Sequence, residues 1–367
     1  MKNHGSVLLI SYLPPPVGGI ATWTSTILKE AKSHSDIKIF MVDIAARWRQ
    51  LHQTEIWRRV LGGGLQLLRD LYLACTIIIK EHPKALHICT PAHLAIVRDI
   101  SFLLLSRLFR IKKIYHLHFG RLPELTKKKN WEWRLITLAI SLADLVIVLD
   151  RKSLHTIHTL FPNKDVRLIP NCISDPNIET NAKSNVESPT IARIIYIGWV
   201  IPTKGVLELV QAALKLINIP FVLEIIGPSS PVYLKQILEV GAPLGSRFLI
   251  HGEFSHYQVM EALSQANILV LPSYTEGLPN VVLEAMALGK PVIASDVGAI
   301  AEILHIGSEQ PCGIVIPPKD IDALANAIQI LLENESLQNK MGMNGRKRFI
   351  ENFSPEKTMR ELKKIWL

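Results

Sequence analysis

The segment 273–295, SYTEGLPNVVLEAMALGKPVIAS, places two carboxylates eight residues apart, Glu276 in a loop and Glu284 inside an apolar run. Neither is needed for the segment to fold. The punctuation reads as strand, loop and helix: LP at 271–272 ends a strand, Pro279 or Asn280 starts a helix, and Gly289 closes it. A helix start of this kind presents backbone N–H groups to phosphate. Two carboxylates beside a bare phosphate would repel it. They suit a ligand whose hydroxyls lie next to a diphosphate, as the ribose and sugar of a nucleotide sugar do.

Other clusters could bind the same ligand. PPPVGGI at 14–20 follows the first apolar run and precedes a helix expected from about Ala21. Paired Gly18 and Gly19 would let backbone N–H groups approach an anion closely, although the same turn also serves as a plain turn. The segment is not G-x-G-x-x-G and lacks the acidic residue of a nicotinamide site. YIGWVIPTKG at 196–205 sets Gly198 and Lys204 between a strand and a helix. Lys204 there is either a point charge for an anion or a solvated lysine. HLHFG at 116–120 ends another strand, and its two histidines are expected to diverge there rather than share a metal. Asp320 and Asp322 read as acid at a helix start, favoured by the macrodipole, not as a divalent-metal motif.

These clusters need a scaffold, and the rest of the chain supplies one. Short apolar runs alternate with longer amphipathic ones, the signature of parallel α/β units. Runs at 7–12, 37–44, 85–89, 113–117, 145–149 and 166–169 read as strands of a first domain, 1–178. The polar stretch 179–190 reads as a linker. Runs at 191–197, 222–226, 248–251, 268–271, 292–294 and 313–316 build a second domain, 191–353. A last helix, 354–367, is expected to pack back on the first domain. Each chemical cluster falls at a strand's carboxyl end, where ligands of doubly wound sheets bind.

Composition narrows the class further. At 367 residues, 48% hydrophobic and 20% charged, the chain is long enough for two domains and apolar enough to bury their cores. Four separated cysteines form no C-x-x-C pair, which argues against a zinc site or a disulfide framework and suits a reducing cytoplasm. The first apolar run stops at three prolines and reads as a buried strand, not a signal peptide. The stretches 71–79 and 100–111 are too short, or broken by Arg107 and Arg110, for a span of ~20 residues, so no transmembrane helix is expected.

With these motifs in place, the chain resembles the family 4 retaining glycosyltransferases (glycosyl transferases group 1) of the GT-B fold, nearly end to end. The resemblance rests on PPPVGGI, HLHFG, IPNCI at 169–173, the Gly198 to Gly205 segment and, most specifically, the E-x7-E pair Glu276 and Glu284. It implies two Rossmann-like domains facing a cleft and closing on the substrate. It also implies that Gly19 lies against the donor diphosphate, with Gly18 beside it, and that His118 lies near the transferred sugar. Lys204 would contact the diphosphate, Glu276 the sugar hydroxyls and Glu284 the ribose. The loop amides of Gly277, Leu278 and Asn280 would face the donor. Two departures stand out: Trp199 replaces a common arginine that adds a second phosphate contact, and Cys172 replaces the glycine of a Pro-Asn-Gly turn. Retention of anomeric configuration without a bound metal is implied, which agrees with reading the D-x-D at Asp320 and Asp322 as a helix start.

The expected reaction transfers a sugar from a nucleotide sugar, UDP-linked, to a glycan or polyprenyl-diphosphate-linked saccharide in bacterial surface polysaccharide synthesis. No separate cofactor is expected. A nucleotide-sugar 2-epimerase on the same fold, or a non-catalytic nucleotide-binding subunit, are the alternatives. Residues 1–180 hold 25 Lys+Arg against 14 Asp+Glu, a net +11, whereas 181–367 are at −2. The basic half includes Lys127, Lys128 and Lys129 near Trp131 and Trp133, and Trp48, Trp57, Arg58 and Arg59 ahead of an apolar segment. No nucleic-acid-binding motif accompanies the charge. An anionic membrane surface is the expected partner, with the protein peripheral on the cytoplasmic face of the plasma membrane.

Overall fold

A computed structural model of the chain describes residues 5–15, 18–45, 56–176 and 191–367. The expected linker 179–190 and Trp48 lie outside the described residues. Two compact units are formed: Met1–Ile173 with Pro355–Leu367, and Ser174–Ser354.

The first unit is built on β1 (Gly5–Ser11), β2 (Ile37–Asp43), β3 (Ala85–Thr90), β4 (Lys112–Leu117), β5 (Leu145–Val148) and β6 (Asp165–Leu168). Its helices are α1 (Gly19–Ala31), α2 (Ile56–Glu81), α3 (Ala95–Leu108), α4 (Leu122–Lys128), α5 (Trp131–Leu142) and α6 (Arg151–Leu160). The strands are all parallel, in the order β2-β1-β3-β4-β5-β6. Such a sheet must be covered on both faces, which is why β3 and β5 are buried along their whole lengths. The strand period of two sorts β1 between two cores. Leu8 and Ile10 join Ala74 and Ile78 of α2, Phe102 of α3 and Ile136 of α5. Val7 and Leu9 join Trp23 and Ile27 of α1 on the other face.

The second unit repeats the scheme. Its strands are β7 (Ala192–Ile197), β8 (Phe221–Ile226), β9 (Phe248–His251), β10 (Ile268–Leu271), β11 (Val292–Ser295) and β12 (Gly313–Ile316). Its helices are α7 (Val206–Lys215), α8 (Pro231–Gly241), α9 (His256–Gln265), α10 (Asn280–Ala287), α11 (Ile300–Ile303), α12 (Ile321–Leu332) and α13 (Glu335–Asn352). The order β12-β11-β10-β7-β8-β9 is again fully parallel. Asp320 caps α12 by accepting from the Ala323 N–H at 2.8 Å.

The final helix, α14 (Pro355–Trp366), belongs to the first unit. Met359, Leu362 and Trp366 recur at helical spacing and complete the core on the α1 face. Polar contacts fix the register: the Trp366 Nε1–H donates to His87 Nδ1 at 3.0 Å, and the Lys112 ammonium donates to the Ile365 carbonyl at 2.7 Å.

Helix α2 overturns one sequence expectation. It runs unbroken for 26 residues, and Gly62–Glu81 is long and apolar enough by length and composition to cross a membrane. Gln66, Arg69 and Asp70 interrupt the apolar run in sequence, but Gln and Arg are good helix formers and do not interrupt the helix. Its inward side, Asp70, Ala74 and Ile78, is buried, whereas most of the helix surface is open.

Trp366→Ala should destabilise the first unit by about 3–5 kcal/mol, the usual cost of emptying a buried tryptophan site. Urea unfolding followed by circular dichroism measures this. An unchanged midpoint would mean that α14 is not part of that core.

Candidate functional site

In the second sheet the strand order reverses between β7 and β10. Loops leaving those two neighbours diverge and open a crevice at their carboxyl ends. The β7 loop carries Gly198, Trp199 and Lys204; the β10 loop carries Glu276, Gly277 and Leu278 and runs into α10, which begins at Asn280. Thus all the expected residues of the second half meet at one topological position.

The geometry is tight. Lys204 Nζ lies 2.6 Å from Glu276 Oε1, with side-chain exposures of 25% and 12%. The Tyr274 N–H donates to the Thr203 carbonyl at 2.9 Å and ties the two loops together. Gly205 has φ +69, and a Cβ there would lie 2.1 Å from the Pro272 carbonyl oxygen. Gly298, at φ +56, lets the turn after β11 close on the backbone of Glu276 and Gly277, where a Cβ would sit 2.3 Å from a carbonyl oxygen. The Ala299 N–H then donates to the Gly277 carbonyl at 3.0 Å. Two glycines therefore allow the loop approaches that hold Glu276 against Lys204.

Pro279 is the N-cap of α10 and Leu278 packs inward, 5% exposed. The far end of α10 is held by Arg346, which donates to the Ala287 carbonyl at 2.8 Å while pairing with both carboxylate oxygens of Asp175. Glu284 sits one turn into α10 and is 8% exposed, and burial pushes its carboxyl up to about 7. The crevice thus combines a cation, a helix N-terminus and two carboxylates in different environments. That set can hold a diphosphate beside hydroxyl groups.

Sequence reasoning missed several neighbours. The Ser273 and Ser295 hydroxyls at the ends of β10 and β11 are buried without a hydrogen-bond partner. Ser273, the first residue of the glutamate loop, was visible in sequence. The Tyr274 hydroxyl bonds to Glu208, and the Lys319 ammonium lies 4.7 Å from the Tyr274 ring centre. Neither pairing leaves a sequence signal, because the partners are 66 and 45 positions apart.

In the first sheet the order reverses between β1 and β3. Gly18 and Gly19 open α1, two residues before the expected Ala21, and a Cβ on either would meet nothing within 4 Å. Packing therefore does not require either glycine. His118 follows β4, with its N–H donating to the Thr90 carbonyl at 3.0 Å. The histidines do not diverge as expected: the His116 and His118 rings lie 3.9 Å apart, and Trp23 meets both edge-on. Residues two apart share a strand face, and the chain keeps that direction past the end of β4.

A proton chain orders this cluster. Trp366 donates to His87 Nδ1, so the neutral His87 ring carries its proton on Nε2 and gives it to His116 Nδ1 at 3.2 Å. Burial pushes His87 down to about 3, and also lowers His116. Burial likewise lowers His118 to about 3 although the Asn171 side chain favours its charged form. Ligand atoms of His87, Cys89 and His116 lie within 4.8 Å of one another. The chain nevertheless occupies both His87 nitrogens and His116 Nδ1, and burial pushes the Cys89 thiol up to about 12, so this arrangement is a hydrogen-bonded core cluster and not a ligand set.

Comparison with known proteins follows this geometry. Residues 177–348 match the family described as glycosyl transferases group 1. Over that segment, the chain is similar to the group 1 glycosyltransferases. The chain is 27% identical over 294 residues to the putative teichuronic acid biosynthesis glycosyltransferase TuaC of Bacillus subtilis, covering 77% of this chain and 66% of that protein, just under two thirds of its length. Sucrose-phosphate synthase from Thermosynechococcus elongatus superposes over 99% of this chain and 98% of its own, with a TM-score of 0.75 at 21% identity. HepE from Anabaena, solved with UDP and glucose, superposes over 99% of both chains with a TM-score of 0.68 at 15% identity. These structural likenesses establish the GT-B fold of the chain and nothing about its substrates.

The buried titratable groups give opposite pH signatures. His87 and His118 bind protons far more weakly folded than unfolded, so stability should fall as pH drops from about 6.5 toward about 3. Glu284 keeps its proton to about 7 when folded but loses it near 4.5 when unfolded, so it costs stability as pH rises through that window. Glu284→Gln should therefore gain up to about 3 kcal/mol at pH 8 and almost nothing at pH 4. Thermal melts of both proteins at the two pH values test this; an equal shift at both would mean that Glu284 is not held protonated by burial.

Proposed function

We propose that this protein is a group 1, retaining glycosyltransferase that moves a sugar from a UDP-sugar to a glycan or lipid-linked saccharide in bacterial surface polysaccharide synthesis, without a bound metal ion. The observation that carries this reading is the meeting of Lys204, Glu276, the α10 N-terminus and Glu284 at the switch point of the second sheet. A free phosphate would meet the glutamates as repulsion, whereas a nucleotide sugar offers them hydroxyls. The names of TuaC and of HepE in complex with UDP and glucose support the same class.

In this reading Glu284 accepts hydrogen bonds from the ribose and Glu276 from the sugar, with amides of Gly277, Leu278 and Asn280 close by. Lys204, now neutralised by Glu276, turns part of its charge to the diphosphate. Its charge and the helix N-terminus stabilise the negative charge that develops as the nucleoside diphosphate leaves. For the first unit the roles are those that the resemblance implies: Gly18 and Gly19 for the diphosphate, and His118 for the transferred sugar. A nearly unprotonatable His118 offers a neutral imidazole for a hydroxyl and not a cation for a phosphate. Trp199 supplies no charge, which leaves Lys204 as the cation of the β7 loop. The acceptor hydroxyl attacks the face that the leaving group vacates.

Lys204→Ala, and above pH 7, where its carboxyl is ionised, Glu284→Ala, should each weaken UDP binding by about 1.5–3 kcal/mol, the size of a hydrogen bond to a charged group. Lys204→Ala should also slow turnover, because the leaving diphosphate gains charge in the transition state. His118→Ala should lower turnover with UDP affinity retained. Calorimetry with UDP, together with product analysis from several nucleotide sugars, separates these effects. Isomerised donor without transfer would point to an epimerase, and binding without any turnover to a non-catalytic subunit.

Transfer rates should be undiminished in EDTA. A strict requirement for added divalent metal would contradict the metal-free mechanism.

A further inference from the structure

Three neighbouring helices of the first unit are apolar on the side that faces away from the core. On α2, Leu65, Leu68, Tyr72 and Ile79 follow helical spacing and are exposed by 55–72%. On α3, Val97, Leu104 and Leu108 continue a stripe that begins at Leu94, with exposures of 50–77%. On α5, Trp131 and Leu138 stand one heptad apart, 51% and 46% exposed. Helix α3 packs between α2 and α5, so the three stripes adjoin. Scattered apolar residues need no explanation, but adjoining stripes on one layer form a patch, and patches mark interaction sites.

The charges on the same helices identify what the patch meets. Among described side chains, the acidic residues of α2, α3 and α5 are Asp70, Glu81, Asp99 and Glu132. Asp70 and Asp99 are fully buried, Glu132 is 4% exposed, and Glu81 is paired with Lys38 at 3.2 Å. The exposed charges that remain are Arg69, Lys80, Arg107 and Arg134, all positive. From α4, which packs beside α5, the exposed Lys127 and Lys128 add to them against one exposed acid, Glu124. An apolar face whose rim carries a positive excess complements a surface that is greasy within and anionic outside. A second copy would oppose cation to cation. Helix α2 is long enough to span, but crossing would pull Asp70, Ala74 and Ile78 out of the core.

We propose that the outward faces of α2, α3 and α5 seat the first unit on an anionic lipid bilayer, with the leucines and Tyr72 entering the acyl boundary and the arginines meeting lipid headgroups. This rests on the peripheral-membrane expectation but not on the catalytic assignment, since none of these residues belongs to the nucleotide-sugar site. It also relocates the contact. Lys127, Lys128 and Lys129 lie at its edge, Trp131 lies on it, and Trp133 is only partly exposed against the core. Trp57, Arg58 and Arg59 lie on α2, and their side chains are not among those described.

The test is flotation of the whole protein with phosphatidylcholine vesicles, with and without phosphatidylglycerol. The protein should float with the anionic vesicles only, and release as salt rises. The fourfold variant Leu68→Ser, Tyr72→Ser, Leu104→Ser, Leu108→Ser and the separate variant Arg107→Gln, Arg134→Gln should each lose binding roughly tenfold or more. Ile350→Ser, on exposed α13 of the other unit, should float as the parent does. UDP binding by thermal shift should be the same in all of them, so that failure here is distinct from failure of the transferase reading. If the fourfold variant melts early, the arginine variant decides. Equal flotation with neutral vesicles, undiminished flotation of the arginine variant, or a dimer in light scattering that the fourfold variant dissolves would each overturn the proposal, the last by assigning the face to a second copy.

Discussion

A parallel sheet covered on both faces leaves polar chemistry nowhere to go but its ends. Everything functional in this protein follows from that constraint. Strands β3, β5, β10 and β11 are buried throughout, so their side chains can only pack. The loops beyond their carboxyl ends are free to carry glycines, glutamates and a lysine, and the reversal of strand order between β7 and β10 pushes two such loops apart around one crevice. The helices on the faces serve the sheet with one side and keep the other for solvent, or for a surface.

Within the crevice, the low-dielectric surroundings give the two glutamates different characters. Glu276 shares its charge with Lys204 at 2.6 Å and stays paired. Glu284 has burial alone acting on it and holds its proton to about 7. A ligand that brings hydroxyl groups to Glu284 replaces lost solvation, and one that brings phosphate to Lys204 competes with Glu276. Binding and stability therefore pull in opposite directions at this site, as is common where buried charge is kept for use and not for folding. The histidine cluster of the first unit is the reverse case. Its rings are kept neutral by burial, and Trp366 from the last helix sets the direction of the proton chain.

Much of this was legible in the sequence. The twelve strands among the described residues fall within a few residues of the apolar runs that announced them, most plainly the central ones, because a doubly buried strand must be apolar along its length. The E-x7-E pair, Lys204 and the helix that starts after Pro279 could be read from turn chemistry and charge in an apolar context. Local order determined these features, since each needs only its neighbours in the chain.

Tertiary structure decided the rest. The sequence offered Lys204 and Glu276 as separate candidates, and only the pairing of β7 with β10, with Gly205 and Gly298 permitting the close approaches, made them an ion pair across 72 positions. It offered His116 and His118 as diverging residues, and packing around Trp23 stacked them. It offered only 71–79 as an apolar stretch too short to span, whereas α2 runs from Ile56 to Glu81 and the sheet claims one side of it. Which side is core and which is open depends on where β1, β2 and α3 lie, and no window of residues contains that information. Sequence determines which groups are available and on what period; the long-range packing of buried surface determines which of them meet.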